Sequence, residues 1–423
     1  MSSGAHNILG RNGGCALPQL SGVTGSRRRK RMVRGTDTKA LVFDLVRALD
    51  RTSRAELVKR TGLTGASIST ITRRLLDEGL LEETGRAPST GGKPRTFVRV
   101  APDARYAVGV HLTRTDMVLV LTDLLGAVIG RTRRELSIET GEDGLWASVQ
   151  EAIAEIVTGT GIDTAKLVGT GVVLAGPADR ELPGVASVTD RDELRVALER
   201  STGMPVLMEN DATAAALGEW WVSPSGRADD ALVVYLGAGI GGGLLVGGRL
   251  QRGATANAGE LGHVCVDLNG PVCACGARGC VEAMAGPQAV VSRALTNPGI
   301  AGPAGLGEQV GSRGSIEADF AAVARVAHLG NESARRLLDE SASALAVAIR
   351  SVVNVLDNAA VILTGPSAAG AGAVYLRAIE RELKLRYGAQ ASPPVSVRLS
   401  QNCGTAAALG AAAMVLDAAI RSC

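Results

Sequence analysis

Aromatic residues are nearly missing from this 423-residue chain: three Phe, three Trp and four Tyr make up 2% of it. Its interior must then be filled by Val, Leu, Ile and Ala, and 54 glycines imply many tight turns or close backbone contacts. No apolar run reaches the roughly 18 residues that a membrane-spanning helix needs. The Arg-rich start has no apolar stretch behind it, so no secretory signal is legible and a cytoplasmic address is expected. Cysteines number seven, and three of them crowd into positions 273–280. An odd count without a secretory signal argues for a metal site over a disulfide framework.

A chain of this length exceeds one ordinary core, so two or three domains are expected. Hydrophobic residues at 46% and charged residues at 21%, with mean hydropathy +0.16, exclude wholesale disorder. The net charge of +3 conceals an asymmetry. Residues 1–100 hold 19 Lys/Arg against 8 Asp/Glu, a net of +11, which leaves 26 against 34 and a net of −8 for the remainder. A basic head on an acidic body suggests that the head meets a polyanion.

Residues 1–37 are Gly/Ser-rich, carry the run Arg27–Arg28–Arg29–Lys30–Arg31 and read as a disordered basic arm, either contacting DNA or serving as a tail without a role. From Thr38 the pattern turns helical. Leu41, Leu45, Val46 and Leu49 mark one helix, and Ser53 with Glu56 makes a capping box opening a second. A third, from about Gly65 to Glu78, carries Ile68, Ile71, Leu75 and Leu76 on one face. Its other side presents Ala66, Thr70 and Arg73, flanked by Ser67 and Arg74: small groups able to approach base edges, with Arg one turn on for phosphate or guanine. Two short strands follow, and the loop between them offers Arg86, Lys93 and Arg95 as a basic wing. Residues 38–101 are therefore expected to be a winged helix-turn-helix that binds double-stranded DNA, the alternative being a protein-interaction module.

Beyond Pro102, strands and helices alternate in the manner of an α/β fold, with Thr296–Gly314 expected as a Gly/Pro-rich loop and no internal repeat evident. Four stretches carry chemistry. Leu236–Gly243 is a glycine run after an apolar strand, either a phosphate cradle or a simple turn. Glu260–Leu261–Gly262–His263 precedes Cys273, Cys275 and Cys280; one imidazole and three thiolates match a closed, structural Zn2+ site. Glu209–Asn210–Asp211 sits where a strand ends and a helix begins, with Asp211 a general base or a cap. Glu282 follows the last cysteine of the metal loop.

Together these stretches resemble the ROK family of bacterial repressors, open reading frames and sugar kinases, over nearly the whole chain from about Thr38. The resemblance implies a two-lobed actin/hexokinase-like (ribonuclease H-like) fold, with lobe I at residues 104–225 joined by a C-terminal helix 404–421. Lobe II would span 226–403 and hold the zinc loop 263–280. It further implies that Asn210, Asp211, Glu260, His263 and Glu282 bind sugar hydroxyls, with Asp211 in the place of the kinases' catalytic base and His263 shared with the zinc.

The departures separate the branches of the family. ROK kinases carry Asp-x-Gly-Gly-Thr-Lys after the first strand, whereas this chain has His111–Leu112–Thr113–Arg114–Thr115–Asp116. Gly365–Pro366–Ser367 stands where the kinases have a Gly-Gly pair. No Asn-Leu-x-x-Trp follows Val185, where many family members hold a sugar contact, which keeps open a further alternative, a regulator that has lost sugar binding and answers to a protein partner or another metabolite. The expectation is a non-enzymatic, sugar-responsive regulator, most simply a repressor, acting as a homodimer or tetramer on an inverted repeat; an ATP-dependent sugar kinase with an added DNA-binding domain is the alternative.

Overall fold

The computed structural model describes residues 38–86, 96–136, 141–174, 191–223, 228–386 and 394–422. The basic arm, Lys93 and Arg95 lie outside these residues, as does the side chain of Arg86.

The head is built as its periodicity predicts. Helices α1 (Thr38–Leu49), α2 (Arg54–Thr61) and α3 (Gly65–Asp77) close over Val42, Phe43, Val46, Leu57, Ile68 and Leu75, all buried. Ser53 accepts a hydrogen bond from the Glu56 amide, as a capping box requires, and Thr64 caps α3 by accepting from the Ser67 amide. Gly62, at φ 71°, ends α2 in the left-handed region and starts the turn into α3. Strands β1 (Thr52–Ser53), β2 (Leu81–Arg86) and β3 (Thr96–Val100) form an antiparallel sheet in the order β1-β3-β2, the wing predicted at the sequence level.

Two five-stranded sheets follow. The first comprises β4 (Tyr106–Leu112), β5 (Asp116–Asp123), β6 (Val128–Glu135), β7 (Leu167–Leu174) and β8 (Val206–Asn210), ordered β6-β5-β4-β7-β8. With it come helices α4 (Gly141–Thr160), α5 (Arg191–Thr202) and α6 (Asp211–Val222). The second comprises β9 (Ala231–Leu236), β10 (Ile240–Val246), β11 (Arg249–Leu250), β12 (Ala360–Thr364) and β13 (Ser396–Leu399), ordered β11-β10-β9-β12-β13.

Both sheets therefore have the same topology: three antiparallel strands, then two added parallel to the first. This is an internal duplication that the sequence does not display. The central strands of both halves, β4 and β5 in one and β9 and β12 in the other, are buried along their whole length, a requirement that many apolar side chains satisfy.

Lobe II carries α7 (Val281–Ala285), α8 (Pro287–Leu295), α9 (Pro298–Ala304), α10 (Ile316–His328), α11 (Glu332–Leu356) and α12 (Ala368–Leu383). Helix α9 corrects the expected loop at Thr296–Gly314: Asn297 caps it, accepting from the Gly299 amide, and Pro298 sits in the first turn, where a missing N–H costs nothing. The last helix, α13 (Ala406–Ser422), returns to lobe I and lies on β4 and β7. Glycine makes this close approach possible, since a Cβ on Gly109 or Gly171 would fall 1.9 or 2.0 Å from the carbonyl oxygens of Ala408 and Ala411. No helix among the described residues is long and apolar enough to cross a membrane.

Candidate functional site

The glycine run after β9 is a hairpin turn whose glycines admit neighbours. In β10, a Cβ on Gly241 would lie 2.7 Å from Ala212 Cβ, and one on Gly243 2.4 Å from Ala216 Cβ, so α6 beds directly on the strand. On the turn itself a Cβ at Gly239 would lie 2.2 Å from Glu282 Oε2, and that oxygen accepts a hydrogen bond of 2.8 Å from the Ile240 amide. Gly262 packs against Ile240 and Glu282 in the same way. One short stretch of β10 thus gathers the start of α6, the Glu260–His263 turn and Glu282, elements remote in sequence.

At the mouth of α6, Asn210 caps the helix by accepting from the Ala212 and Thr213 amides, and Asp211 accepts from the Ala212 amide at 2.7 Å. The choice for Asp211 between base and cap is answered in part: Asn210 is the cap, and Asp211 is a buried carboxylate in the first turn. Its neighbour Glu209 is held by Arg252 at 2.7 Å.

The ligand atoms of His263, Cys273, Cys275 and Cys280 all lie within 4.8 Å of one another. Cys275 and Cys280 bring their Sγ atoms to 3.7 Å, and Cys273 Sγ stands 3.6 Å from His263 Nδ1. A zinc–sulfur bond of about 2.3 Å implies tetrahedron edges of about 3.8 Å, so the four donors fit a zinc ion in spacing and chemistry. Gly279 lets the loop close: it has φ 72°, and a Cβ there would fall 1.6 Å from the Asp267 carbonyl oxygen. His263 Nε2 faces Glu260 Oε2 at 3.8 Å, so one imidazole joins the cysteine cluster to the carboxylate expected to contact sugar. Cys265 and Cys403 stand outside the cluster, while Cys15 and Cys423 lie outside the described residues.

The turn after β4 is closed on itself. Thr113 Oγ1 donates to the Asp116 carbonyl at 3.0 Å and accepts from the Thr115 and Asp116 amides. Asp116 is paired with Arg133 at 2.7 Å. His111 is buried edge-on against Tyr235, the first strands of the two lobes meeting with ring centroids 6.3 Å apart. Burial lowers the His111 pKa to about 4, opposed by Asp116 and assisted by Arg133. Burial, and after it the Asp211 carboxylate, pushes the Tyr235 phenol well up. Gly365, at φ 96°, seats the following turn on the β9 hairpin, where Ser367 donates to the Gly237 carbonyl at 2.7 Å.

On the head, Ala66, Ser67, Thr70, Arg73 and Arg74 are all exposed on α3, opposite the buried Ile68 and Leu75. Arg74 is tied to Glu78 at 2.9 Å, and Glu78 also receives Lys39 at 2.6 Å. Two features escaped sequence reasoning: the buried Arg47 of α1, and the Trp220–Trp221 pair it meets at the end of α6. Adjacent tryptophans in so aromatic-poor a chain were the available signal.

Fold and site together define a two-lobed sugar-kinase-like protein with a His/Cys₃ cluster and a helical head. The model of the family described as ROK matches residues 107–418, and the chain belongs to that family. A putative xylose repressor of Caldicellulosiruptor sp. (strain Rt8B.4) is 30% identical over 377 residues, covering 86% of this chain and 92% of its own. The solved ROK family transcriptional regulator homologous to the Escherichia coli MLC protein aligns with TM-score 0.67 at 25% identity, covering 90% of this chain and 98% of its own. A ROK family glucokinase from Streptomyces griseus, solved with glucose and AMPPNP, aligns with TM-score 0.59 at 26% identity, covering 73% of this chain and 98% of its own.

Proposed function

We propose that this chain is a sugar-responsive transcriptional repressor: α3 enters the major groove of an inverted-repeat operator, and a sugar or sugar derivative held by Asn210, Asp211, Glu260, His263 and Glu282 alters DNA affinity. The observation that carries this reading is the coverage by solved relatives. The regulator spans 90% of the chain and the glucokinase, at nearly its full length, only 73%. The difference corresponds in extent to the head, whose exposed Ala66, Ser67, Thr70 and Arg73 suit base and phosphate contact. Arg86, Lys93 and Arg95 are proposed as wing contacts to phosphate. The protein works as a homodimer or tetramer in the cytoplasm, since paired recognition helices must meet successive major grooves about 34 Å apart.

His263, Cys273, Cys275 and Cys280 hold one zinc ion, whose role is structural because four protein ligands leave no open position. Asp211 serves recognition, accepting hydrogen bonds from sugar hydroxyls. The retention of Asp211 supports a second reading as a sugar kinase. Against it, Thr113 and Arg114 replace the glycines of the kinase phosphate turn, and that turn bonds to itself.

The test is a DNA-protection assay on the upstream region of the protein's own gene, repeated with D-xylose, D-glucose and N-acetylglucosamine. Protection of an inverted repeat, relieved by one of these sugars and insensitive to it in Asp211→Asn, is the expected outcome. Sugar phosphate formed from ATP by the wild type and lost in Asp211→Asn would establish the kinase reading instead.

A further inference from the structure

Helix α6 runs from the proposed sugar contacts to the head. Asn210 and Asp211 stand at its N-terminus and Trp220 and Trp221 in its last turn, about 15 Å away at 1.5 Å per residue. Nearly the whole helix is buried, and its seams are glycine against alanine. Gly241 and Gly243 of β10 face Ala212 and Ala216, while Gly410 of α13 would place a Cβ 1.7 Å from the Ala214 carbonyl oxygen. Glu219 binds Ser400 and, at 3.2 Å, Arg398, tying the helix to lobe II as well. Seams this tight leave no slack for local adjustment, so a displacement at Asp211 is carried along the helix as a rigid shift.

What receives that shift is one buried cation of the head. Arg47, 2% exposed, donates through Nη1 to the Trp221 carbonyl at 2.8 Å. Its guanidinium lies 3.8 Å from the Trp221 ring centroid and 5.0 Å from that of Trp220, and Nη2 meets Asp44 at 3.2 Å. A planar guanidinium that meets a carbonyl, a ring face and a carboxylate makes these three contacts together in one relative position of α1 and α6. From α1 the connection continues, since Lys39 in its first turn pairs with Glu78, which holds Arg74 on the recognition helix.

We propose that α6 and Arg47 form the mechanical link by which occupancy at Asn210 and Asp211 sets the position of the recognition helix, with Arg47 as the coupling residue. The link rests on the sugar-responsive reading above. It requires that sugar bind with different strength in the two positions of α6, and Arg47 transmits that difference without touching sugar or DNA.

Full-length wild type, Arg47→Met and Arg47→Lys are compared for operator affinity with and without D-xylose, D-glucose and N-acetylglucosamine, with sugar binding followed by calorimetry. In the wild type an active sugar should change operator affinity by roughly 5–150-fold. Arg47→Met should still bind both sugar and operator but lose most of that change, and Arg47→Lys, with the charge but not the fork, should keep part of it. A second readout is the emission of Trp220 and Trp221 in a Trp146→Phe background, which should shift on sugar binding. An Arg47→Met protein with the full wild-type response, or bound sugar that leaves this emission unmoved, overturns the link. Should Arg47→Met fail to fold, Arg47→Lys and the emission decide the matter. A wild type that answers to none of the sugars fails at the functional reading itself, before any variant is compared.

Discussion

Replacing His111 by Phe should make lobe I less sensitive to acid. The imidazole lies wholly inside, against Tyr235, with Nε2 lacking a hydrogen-bond partner, and its pKa falls from 6.5 to about 4. In the unfolded chain it takes up a proton near its ordinary value, whereas in the fold it resists until about pH 4. Between these values the unfolded state binds more protons, so stability rises with pH and is lost as pH falls from about 6.5 towards 4. A difference of about 2.5 pKa units corresponds to about 3 kcal/mol in full, of which about 2 kcal/mol is gone by pH 5. Trp146 packs in the same cluster as Val108, Val110 and Leu112, so its fluorescence reports unfolding of this lobe. Urea titrations at pH 7 and pH 5 should show the wild type losing about 2 kcal/mol more than His111→Phe, which keeps a ring against Tyr235. Equal losses in the two proteins would mean that His111 takes up its proton at the same pH in the folded and the unfolded chain, and the burial argument would fall.

Metal analysis of protein purified without chelator should find one zinc per chain, and none in Cys275→Ser. Because a structural zinc contributes on the order of 10 kcal/mol to its loop, that variant should also lose sugar binding through the misplaced Glu260 and Glu282. Gly171→Ala sets a methyl group 2.0 Å from the Ala411 carbonyl oxygen and should displace α13, costing about 3 kcal/mol or more, visible as a lowered Tm; an unchanged Tm would contradict the close packing. Arg73→Ala should weaken operator binding by about 1–3 kcal/mol if it reads a base, and by a smaller, sequence-independent amount with a reduced salt slope if it contacts phosphate. Unchanged affinity and salt slope would take α3 out of the groove.

Local signals carried much of this protein's design in its sequence. The helical stripe of Ile68, Ile71 and Leu75, the cap at Ser53 and the His263–Cys280 ligand spacing depend on residues close in the chain, and each formed as its pattern predicts. Helix α9 hid behind its glycines and prolines because the capping Asn297 outweighs a poor composition. What only the tertiary structure decided are contacts between distant segments. The purpose of the glycine run was ambiguous until Gly239, Gly241 and Gly243 met Glu282, Ala212 and Ala216, since a missing Cβ signifies nothing until its neighbour is known. The duplication of the two sheets is a property of strand order, which no side-chain pattern records. Arg47 and Trp221 are 174 residues apart, and a charge on an amphipathic helix reads as solvated until a partner surface removes it from water. His111 likewise became a neutral, buried group only when lobe II brought Tyr235 against it.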